Sequence, residues 1–283
     1  MKVLDTIVSV RNEIKNAREQ GKSIALVPTM GALHIGHISL IKAAKQKCDY
    51  VVVSIFVNPT QFGPSEDFDK YPRPLEDDLE ICEKEGVDLV FNPTIEQMYP
   101  DENITWVNVE KITDNLCGRS RTNHFRGVAT VCTKFFNIVI PDFAFFGQKD
   151  AQQSVVIKRM VADLNMPLEI IVCPTVREPD GLAISSRNKY LNTQQRQDAL
   201  YIYKSLQKCI QLIDSGCKNT KTIIAEMRNI LEQKESIEIE YVSIVDAKTL
   251  ENIENIADNA IAAVAVKIGS TRLIDNIPID ISE

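Results

Sequence analysis

The chain has 283 residues, of which 44% are hydrophobic and 25% are charged, and its formal net charge is −7. This composition is ordinary for a soluble globular protein, and the length suffices for two domains. The negative charge argues against a general nucleic-acid-binding protein, which normally presents a basic face. No apolar run approaches the roughly 18 residues of a membrane-spanning helix.

The N-terminal segment, residues 1–22, shows an amphipathic helical pattern with charges throughout. It lacks the uninterrupted apolar core of a signal peptide. The seven cysteines are odd in number, scattered and never in CxxC spacing. They therefore resemble neither a disulfide framework nor a zinc site, and we expect a reduced, cytoplasmic protein.

Apolar runs rich in β-branched residues then alternate with helical patterns. The predicted strands are Ile24–Val27, Val51–Val57, Asp88–Phe91, Phe143–Phe146 and Leu168–Cys173. The predicted helices are Ile38–Cys48, Leu75–Glu85, Val128–Ile138 and Gln152–Leu164. This alternation predicts an α/β domain over residues 1–175, with a Rossmann-like, doubly wound parallel sheet and ligands at the carboxyl ends of its strands.

The pattern changes after residue 190. Helical patterns cover Gln194–Ile213 and Thr220–Gln233, and alternating stretches at Ile237–Val245 and Ala260–Ile268 indicate strands. We therefore assign residues 176–283 to a smaller α+β domain with antiparallel strands, which we expect to cover the active site.

The segment PTMGALHIGH, residues 28–37, follows the first predicted strand directly and holds His34 and His37 beside Gly31 and Gly36. A strand, a tight turn and a helix start direct backbone N–H groups and the positive end of the helix dipole towards an anion. Imidazoles three residues apart share one helix face and can donate to phosphate oxygens. The segment thus predicts a nucleotide phosphate site. By themselves, two histidines at this spacing favour a packing or surface role.

Other polar groups follow the predicted strands. Asn58 and Gln61 come just after the second strand, and their neutral amides can both donate and accept hydrogen bonds, although surface amides of a loop do the same. Asp77 and Asp78 lie at the start of a predicted helix, and we interpret them as a solvated first turn favoured by the helix dipole rather than as metal ligands. His124 stands in a basic segment that suits either an anionic substrate or a surface patch.

The HxGH spacing after a strand resembles the nucleotidylyltransferase superfamily, whose members attack the α-phosphate of a nucleoside triphosphate. Four later segments occur in a fixed order: SIFVNPTQFGPSEDFDKYPR, GRSRTNHFRGV, FFGQKDAQQ and PTVREPDGLAISSRN. Together with PTMGALHIGH they resemble the pantoate–β-alanine ligase (pantothenate synthetase) family over essentially the whole chain. The resemblance implies an ATP-dependent, AMP-forming ligase that condenses (R)-pantoate with β-alanine through a pantoyl adenylate. It also implies Mg²⁺ with the ATP and a homodimer.

The resemblance assigns roles to residues that match the family's motifs. The residues with implied catalytic roles are His34, His37, Lys149 and Arg187, with His37 as proton donor. The implied ATP contacts are Met30, Gly31, Ala32, Leu33, His34, Ile35, Gly36, His37, Gly147, Gln148, Lys149, Asp150, Val176, Ile184, Ser185, Ser186 and Arg187. The implied pantoate contacts are Asn58, Gln61 and Gln153, and no protein ligand for a metal is assigned.

Residue chemistry agrees with these roles. Lys149 is a compact charge suited to phosphate, and Ser185, Ser186 and Arg187 together form a donor-rich clamp for a triphosphate. The Asp180-Gly181 pair marks a turn that can act as the hinge of that clamp.

The chain departs from the family pattern at three places. Gln148 stands where the family usually has Glu. Cys117 stands where the family commonly has an acidic residue, and Thr122-Asn123 stands where it has a Pro-Gly pair. Three alternatives remain open. The first is another HxGH adenylyltransferase, although such chains are usually shorter. The second is a class I tRNA synthetase, which the net charge does not favour. The third is an inactive nucleotide-binding regulator, which would not need the intact catalytic set.

Overall fold

The computed structural model describes residues 1–64 and 66–280, which fold as two compact units. Unit 1 comprises residues 1–110, 121–147 and 156–174. Unit 2 comprises residues 111–120, 148–155 and the described residues from 175 onwards. The segments 111–120 and 148–155 thus belong to unit 2, although they precede position 175 in the sequence. The sequence-based domain boundaries assigned both segments to the first domain.

Unit 1 is built on a six-stranded parallel sheet with the order β1-β4-β3-β2-β5-β6. Its strands are β1 (Lys2–Leu4), β2 (Ile24–Thr29), β3 (Tyr50–Ile55), β4 (Leu89–Phe91), β5 (Phe143–Gly147) and β6 (Glu169–Cys173). The chain runs outward from β2 through β3 to β4, and later returns to the other side of β2 as β5. The carboxyl end of β2 is therefore the topological switch point, where open α/β sheets bind their ligands.

The helices of both units are interleaved with the strands. In chain order they are α1 (Ile7–Glu19), α2 (Ile35–Lys47), α3 (Leu75–Lys84), α4 (Ile95–Met98), α5 (Cys117–Ser120), α6 (His124–Val139), α7 (Ala151–Asp163), α8 (Thr193–Asp198), α9 (Leu200–Asp214) and α10 (Thr220–Leu231). Short 3₁₀ turns occupy Pro59–Gln61, Ile112–Asp114, Gln148–Asp150 and Ser186–Tyr190.

Alternate residues of β2 enter two different hydrophobic clusters. Ile24 and Leu26 pack in the cluster that includes residues of α1 and α6, whereas Ala25 and Val27 pack in the cluster that includes residues of α2. Successive side chains of a strand point to opposite faces, so the sheet is covered on both sides. This arrangement confirms the predicted doubly wound α/β architecture.

Unit 2 contains an antiparallel sheet of β7 (Ile237–Asp246), β8 (Ala260–Ile268) and β9 (Thr271–Ile279) in that order. Buried residues of α9 and α10, such as Leu206 and Met227, share a core with β8 residues such as Val264. The predicted smaller α+β domain with antiparallel strands is thereby confirmed.

Three details of the sequence-based elements were wrong. Residues 2–4 are not helical but form β1, which pairs with β4 at the sheet edge. The helix predicted over Gln194–Ile213 is interrupted at Ala199, between α8 and α9. Strand β9 was not predicted, because Asp275 and Asn276 interrupt its apolar pattern and such residues are depleted in strands.

Candidate active site

The segment after β2 turns sharply in the left-handed region of backbone space. Gly31 has φ +80° and Ala32 has φ +51°. Thr29 shapes the turn, since its Oγ1 donates to the Ser54 carbonyl at 2.7 Å and accepts the Gly31 N–H at 3.1 Å. Glycine adopts such a φ without strain, whereas alanine does so at a cost that its surroundings must offset.

The carboxylate of Asp78 supplies that compensation. Its Oδ2 accepts the Ala32 N–H at 2.8 Å and its Oδ1 accepts the Leu33 N–H at 2.6 Å. Asp78 is 1% exposed, and a Cβ added to Gly31 would lie 2.9 Å from its Oδ2. The interpretation of Asp78 as a solvated helix-turn residue was therefore wrong, whereas Asp77 is exposed as expected. No sequence signal indicated that helix α3 would deliver a buried carboxylate to the PTMGALHIGH segment.

The two histidines lie at the start of α2. His34 is the N-cap residue, and the two imidazole rings stack with centroids 4.1 Å apart. The His34 backbone N–H donates to His37 Nδ1 at 3.2 Å. Because Nδ1 accepts, the neutral His37 ring carries its proton on Nε2. His37 can therefore offer an N–H donor to an anion at this helix N-terminus.

The amides after β3 are buried rather than superficial. Asn58 is 1% exposed and Gln61 is 8% exposed. Asn58 Nδ2 donates to Gln61 Oε1 at 3.1 Å and to the Gly127 carbonyl at 3.3 Å, while its Oδ1 accepts from Tyr99 Oη at 2.9 Å. Asn58 thus uses its amide to hold the turn. A direct contact between Asn58 and a ligand stays a prediction.

Gln61 makes a weaker contact with its amide nitrogen. Its Nε2 donates to Met30 Sδ at 3.0 Å, so the structure brings the NPTQF segment against PTMGALHIGH. A thioether is a poor acceptor, and a carboxylate or hydroxyl oxygen would be a better one. Gln61 is therefore a fixed donor with capacity for a stronger partner.

His124 supports this turn from α6. Arg121 Nη1 lies 2.9 Å from His124 Nε2, and His124 Nδ1 lies 2.8 Å from the Gln61 carbonyl. Since arginine only donates, His124 accepts through Nε2 and donates through Nδ1 as a neutral ring. Arg121 also forms a two-bond pair with Glu66, at 2.7 and 2.6 Å. Burial alone would raise the pKa of Glu66, but the hydrogen bonds and charge of Arg121 hold that pKa below its ordinary value. These two members of the basic segment serve the fold of unit 1.

In unit 2 the residues 176–184 form a small hairpin. The Ile184 N–H donates to the Val176 carbonyl at 3.1 Å, and the turn contains Gly181 at φ +97°. Asp180 beside this glycine pairs with Arg196 at 2.9 Å. The hairpin leads into the 3₁₀ turn Ser186–Tyr190, where Ser185 Oγ accepts the Arg187 N–H at 3.3 Å.

A small cavity in unit 2 brings two predicted phosphate ligands together. Lys149 and Ser185 both line it, with Asn188 and Asp275. The neighbouring Gln148 donates from Nε2 to Asn276 Oδ1 at 2.9 Å. The predicted contacts of Lys149 and Ser185 with one ligand are thus compatible with the fold of this unit.

Two adjacent glutamines begin α7 with different environments. Gln152 is buried, donates to the Ile112 and Asn115 carbonyls, and accepts the Cys117 N–H at 2.9 Å. Gln153, the predicted pantoate ligand, is half-buried. Gln152 thus has a structural role, and the pantoate role of Gln153 stays a prediction.

Two departures from the family pattern have a structural account. Asn123 stands in the left-handed region at φ +64°, where glycine is best and asparagine is the next most tolerated residue. Cys117 Sγ lies 3.1 Å from Tyr241 Oη and 3.5 Å from Arg272 Nη2. The thiol therefore occupies a polar place in which an acidic side chain would pair with the guanidinium.

Neither a metal cluster nor a membrane span is found in the described part of the chain. Within residues 1–64 and 66–280, no group of three or more His, Cys, Asp or Glu side chains is placed to hold a metal ion. None of the helices described for these residues is both long and apolar enough to cross a bilayer.

Comparison with known proteins gives one consistent result. The family model described as pantoate-beta-alanine ligase matches residues 2–278. The chain is 56% identical to a pantothenate synthetase of Thermoanaerobacter pseudethanolicus, over 98% of both chains. It is 53% identical to one of Acetivibrio thermocellus, over 99% of this chain and 100% of the other.

Solved structures agree with this result. The pantothenate synthetase of Thermus thermophilus superposes with a TM-score of 0.94 at 39% identity, over 98% of this chain and 99% of the other. The pantoate-beta-alanine ligase of Francisella tularensis, crystallised with beta-gamma ATP and beta-alanine, has a TM-score of 0.80 at 36% identity, covering 98% and 97%.

The role of Asp78 can be tested by stability. Asp78→Asn keeps the size of the side chain but directs an amide N–H₂ at one of the two backbone N–H groups. We expect the free energy of unfolding, measured by urea denaturation, to fall by about 1–3 kcal/mol because a buried donor loses its acceptor.

Glu76→Gln is the matched control, since Glu76 lies exposed in the same first turn of α3 and feels the same helix dipole. It should change stability by no more than about 0.5 kcal/mol. Equal losses in the two variants would mean that the dipole, and not the contact with residues 32 and 33, accounts for the effect.

Proposed function

The chain belongs to the pantoate–β-alanine ligase family, and from that premise we propose how its own residues make pantothenate from pantoate, β-alanine and ATP. The enzyme is an ATP-dependent ligase that forms a carbon–nitrogen bond. Pantoate is first activated as pantoyl adenylate, and AMP and pyrophosphate are the by-products. One contact carries the assignment of the pantoate site, namely the Gln61 amide held against Met30.

This contact supports the proposal because it holds an amide N–H donor, suited to a hydroxy acid, against the PTMGALHIGH segment. Gln61 is oriented by Asn58 through its Oε1 and by His124 through its backbone carbonyl, which leaves Nε2 on the weak acceptor Met30 Sδ. Pantoate offers a carboxylate and hydroxyls, both of which accept more strongly than a thioether. Gln61 and Gln153 bind pantoate, and Asn58 acts mainly by holding Gln61.

The first chemical step needs no general base. A carboxylate is ionised at neutral pH, so the pantoate oxygen attacks the α-phosphorus of ATP directly. The P–O bond to pyrophosphate breaks as the new P–O bond forms. His37, with its proton on Nε2, donates to the phosphate oxygens as charge develops, and His34 lies stacked beside it. Catalysis here is mainly positioning and charge neutralisation.

Unit 2 supplies further groups for the nucleotide. Lys149 and Arg187 neutralise phosphate charge, Ser185 and Ser186 donate hydroxyl groups, and Asp150 binds the ribose. The backbone of Val176, together with Gly31, Gly36 and Gly147 of unit 1, completes the ATP contacts expected from the sequence. Lys149 and Ser185 line the same small cavity, which is compatible with contact of both side chains with one ligand.

In the second step the neutral amine of β-alanine attacks the acyl carbon of pantoyl adenylate. The C–N bond forms as the acyl C–O bond to AMP breaks, the proton of the amine passes to solvent, and AMP leaves as a stable anion. Water must be kept from the adenylate until the amine arrives, because hydrolysis would waste the activated acyl group.

Mg²⁺ enters as part of the MgATP substrate. With no cage of three acidic or imidazole ligands in the described residues, the ion would be held by triphosphate oxygens and water, as Mg²⁺ commonly is.

We also propose a homodimer and a cytoplasmic location. A reducing compartment suits the free cysteines, and burial raises the pKa of Cys82, Cys132 and Cys209 to about 12, which keeps these thiols protonated.

The adenylate route predicts an isotope exchange. Labelled pyrophosphate should enter ATP in the presence of pantoate and Mg²⁺ without β-alanine, because the first step is reversible on the enzyme. Omitting pantoate is the control and should abolish the exchange. If the protein makes pantothenate but shows no pantoate-dependent exchange, the reaction does not pass through a pantoyl adenylate that forms before β-alanine binds.

His37→Ala should lower kcat by on the order of 10²- to 10³-fold, because a donor to the developing phosphate charge is lost. Its urea denaturation midpoint should stay close to that of the wild type, which separates catalysis from folding. A normal kcat in the folded variant would remove His37 from the mechanism.

Gly127→Ala tests the pantoate turn without touching a polar side chain. A Cβ at Gly127 would overlap the Thr60 carbonyl oxygen and lie 2.8 Å from Gln61 Cα. The turn must then shift, and we expect KM for pantoate to rise about tenfold or more with KM for ATP unchanged.

Asn137→Ala is its control, because Asn137 lies exposed on the same helix α6 and its replacement raises helix propensity without meeting the turn. It should leave both KM values unchanged. A Gly127→Ala variant with wild-type KM for pantoate would show that the Pro59–Gln61 turn does not bind that substrate.

A further inference from the structure

Strand β9 carries two adjacent buried polar residues in a core of apolar neighbours. Asp275 is 3% exposed and Asn276 is 4% exposed. Both are paired in register with β8, opposite Val264 and Ala263 respectively, so their backbone positions are fixed by the middle strand of the sheet. Buried polar groups in such a place need full hydrogen bonding, and their partners identify what they hold.

Asn276 holds the segment that contains Lys149. Its Nδ2 donates to the Gln148 and Lys149 carbonyls, each at 2.9 Å. Because both partners are carbonyl oxygens, the amide nitrogen of Asn276 must face them. Its Oδ1 therefore faces the side chain of Gln148. Gln148 Nε2 donates to that oxygen at 2.9 Å. A glutamate at 148 would have no proton to donate there, so Gln148 and Asn276 form a matched pair of amides.

Asp275 holds the hairpin that precedes Ser185. Its carboxylate binds the Arg177 guanidinium through two bonds, at 2.6 and 3.0 Å. Arg177 Nη1 also donates to the Gly181 carbonyl at 3.1 Å, and the guanidinium lies over the Tyr203 ring at 4.2 Å. The carboxylate thus fixes the first strand and the turn of the hairpin through a single arginine.

We propose that Asp275 and Asn276 are positioning residues which fasten the two nucleotide-binding loops of unit 2, residues 148–150 and 176–187, to one rigid strand. They act through Lys149 and Ser185 rather than by contact with ATP. A site binds phosphate more weakly when the backbone of its binding side chains can move, because each binding event must then also order that backbone and lose its conformational entropy. This inference rests on the proposed role of these loops in binding ATP.

The test compares two asparagine-to-alanine substitutions in unit 2. Asn276→Ala removes the two donors to the 148–150 loop. Asn219→Ala removes the N-cap of α10, whose side chain accepts the Thr222 N–H at 3.0 Å, and so destabilises the unit away from the loops. Stability, KM for each substrate and kcat are measured for both variants well below their unfolding temperatures.

For Asn276→Ala we expect kcat/KM for ATP to fall on the order of 10- to 100-fold, mainly through KM, with KM for pantoate unchanged. For Asn219→Ala we expect lower stability with both KM values unchanged. The inference is overturned if Asn276→Ala leaves KM for ATP at the wild-type value, or if both KM values rise together.

Asp275→Asn provides the second arm. It keeps the shape of the side chain but weakens the pair with Arg177, so amide hydrogen exchange should become faster in residues 176–187 and stay unchanged in α10. Unchanged exchange in 176–187 would contradict the proposal.

If neither variant folds, hydrogen exchange in the wild type decides. Addition of a non-hydrolysable ATP analogue must then slow amide exchange in 148–150, 176–187 and β9 together.

Failure of this inference can be told apart from failure of the proposed function. The pantoate-dependent exchange of pyrophosphate tests the wild-type reaction alone. Calorimetric titration of each variant with the ATP analogue tests loop positioning without any turnover. A wild type that is active, combined with unchanged ATP affinity in Asn276→Ala, would reject the positioning role only.

Discussion

A buried carboxylate that accepts from two backbone N–H groups is the constraint on which the turn after β2 and the start of α2 depend. The chain must leave β2 at the switch point of the sheet and turn left-handed through Gly31 and Ala32 before α2 can begin. Asp78 stabilises this turn by accepting from residues 32 and 33. The position of His34 as N-cap, and hence the bond from its N–H to His37, follows from where the turn ends.

The same physical solution recurs at the other polar segments. Groups expected to meet a substrate are held by polar residues that do not need to touch it: Gln61 by Asn58 and His124, and Lys149 by Asn276. Each supporting residue is nearly or fully buried and has its hydrogen-bonding groups engaged by protein. A buried network of this kind is rigid only when it is complete, which is why one lost partner affects the geometry of the site.

The sequence predicts those features of this protein that depend on residues close together in the chain. Strand β3 was visible as a continuous apolar run, and the PTMGALHIGH segment was recognised because it follows a strand and opens a helix. The parts that were missed depend on long-range contacts. Asp78 looks like any acidic residue in a first helical turn until the fold brings it to Ala32, which lies 46 positions away. Asn276 gave no signal because its partners, Gln148 and Lys149, are separated from it by more than 120 positions.

The contact between β9 and the Lys149 segment has a consequence for how the protein is made. A ribosome synthesises residue 148 long before residue 276, so the Lys149 segment emerges with its carbonyls unbound by their eventual partner. The sheet of unit 1 is already complete in sequence at Cys173, whereas Lys149 acquires its native support only after β9 has been translated and paired with β8. Nascent chains of this enzyme therefore pass through a stage in which the sheet of unit 1 can form but the Lys149 segment has no native support.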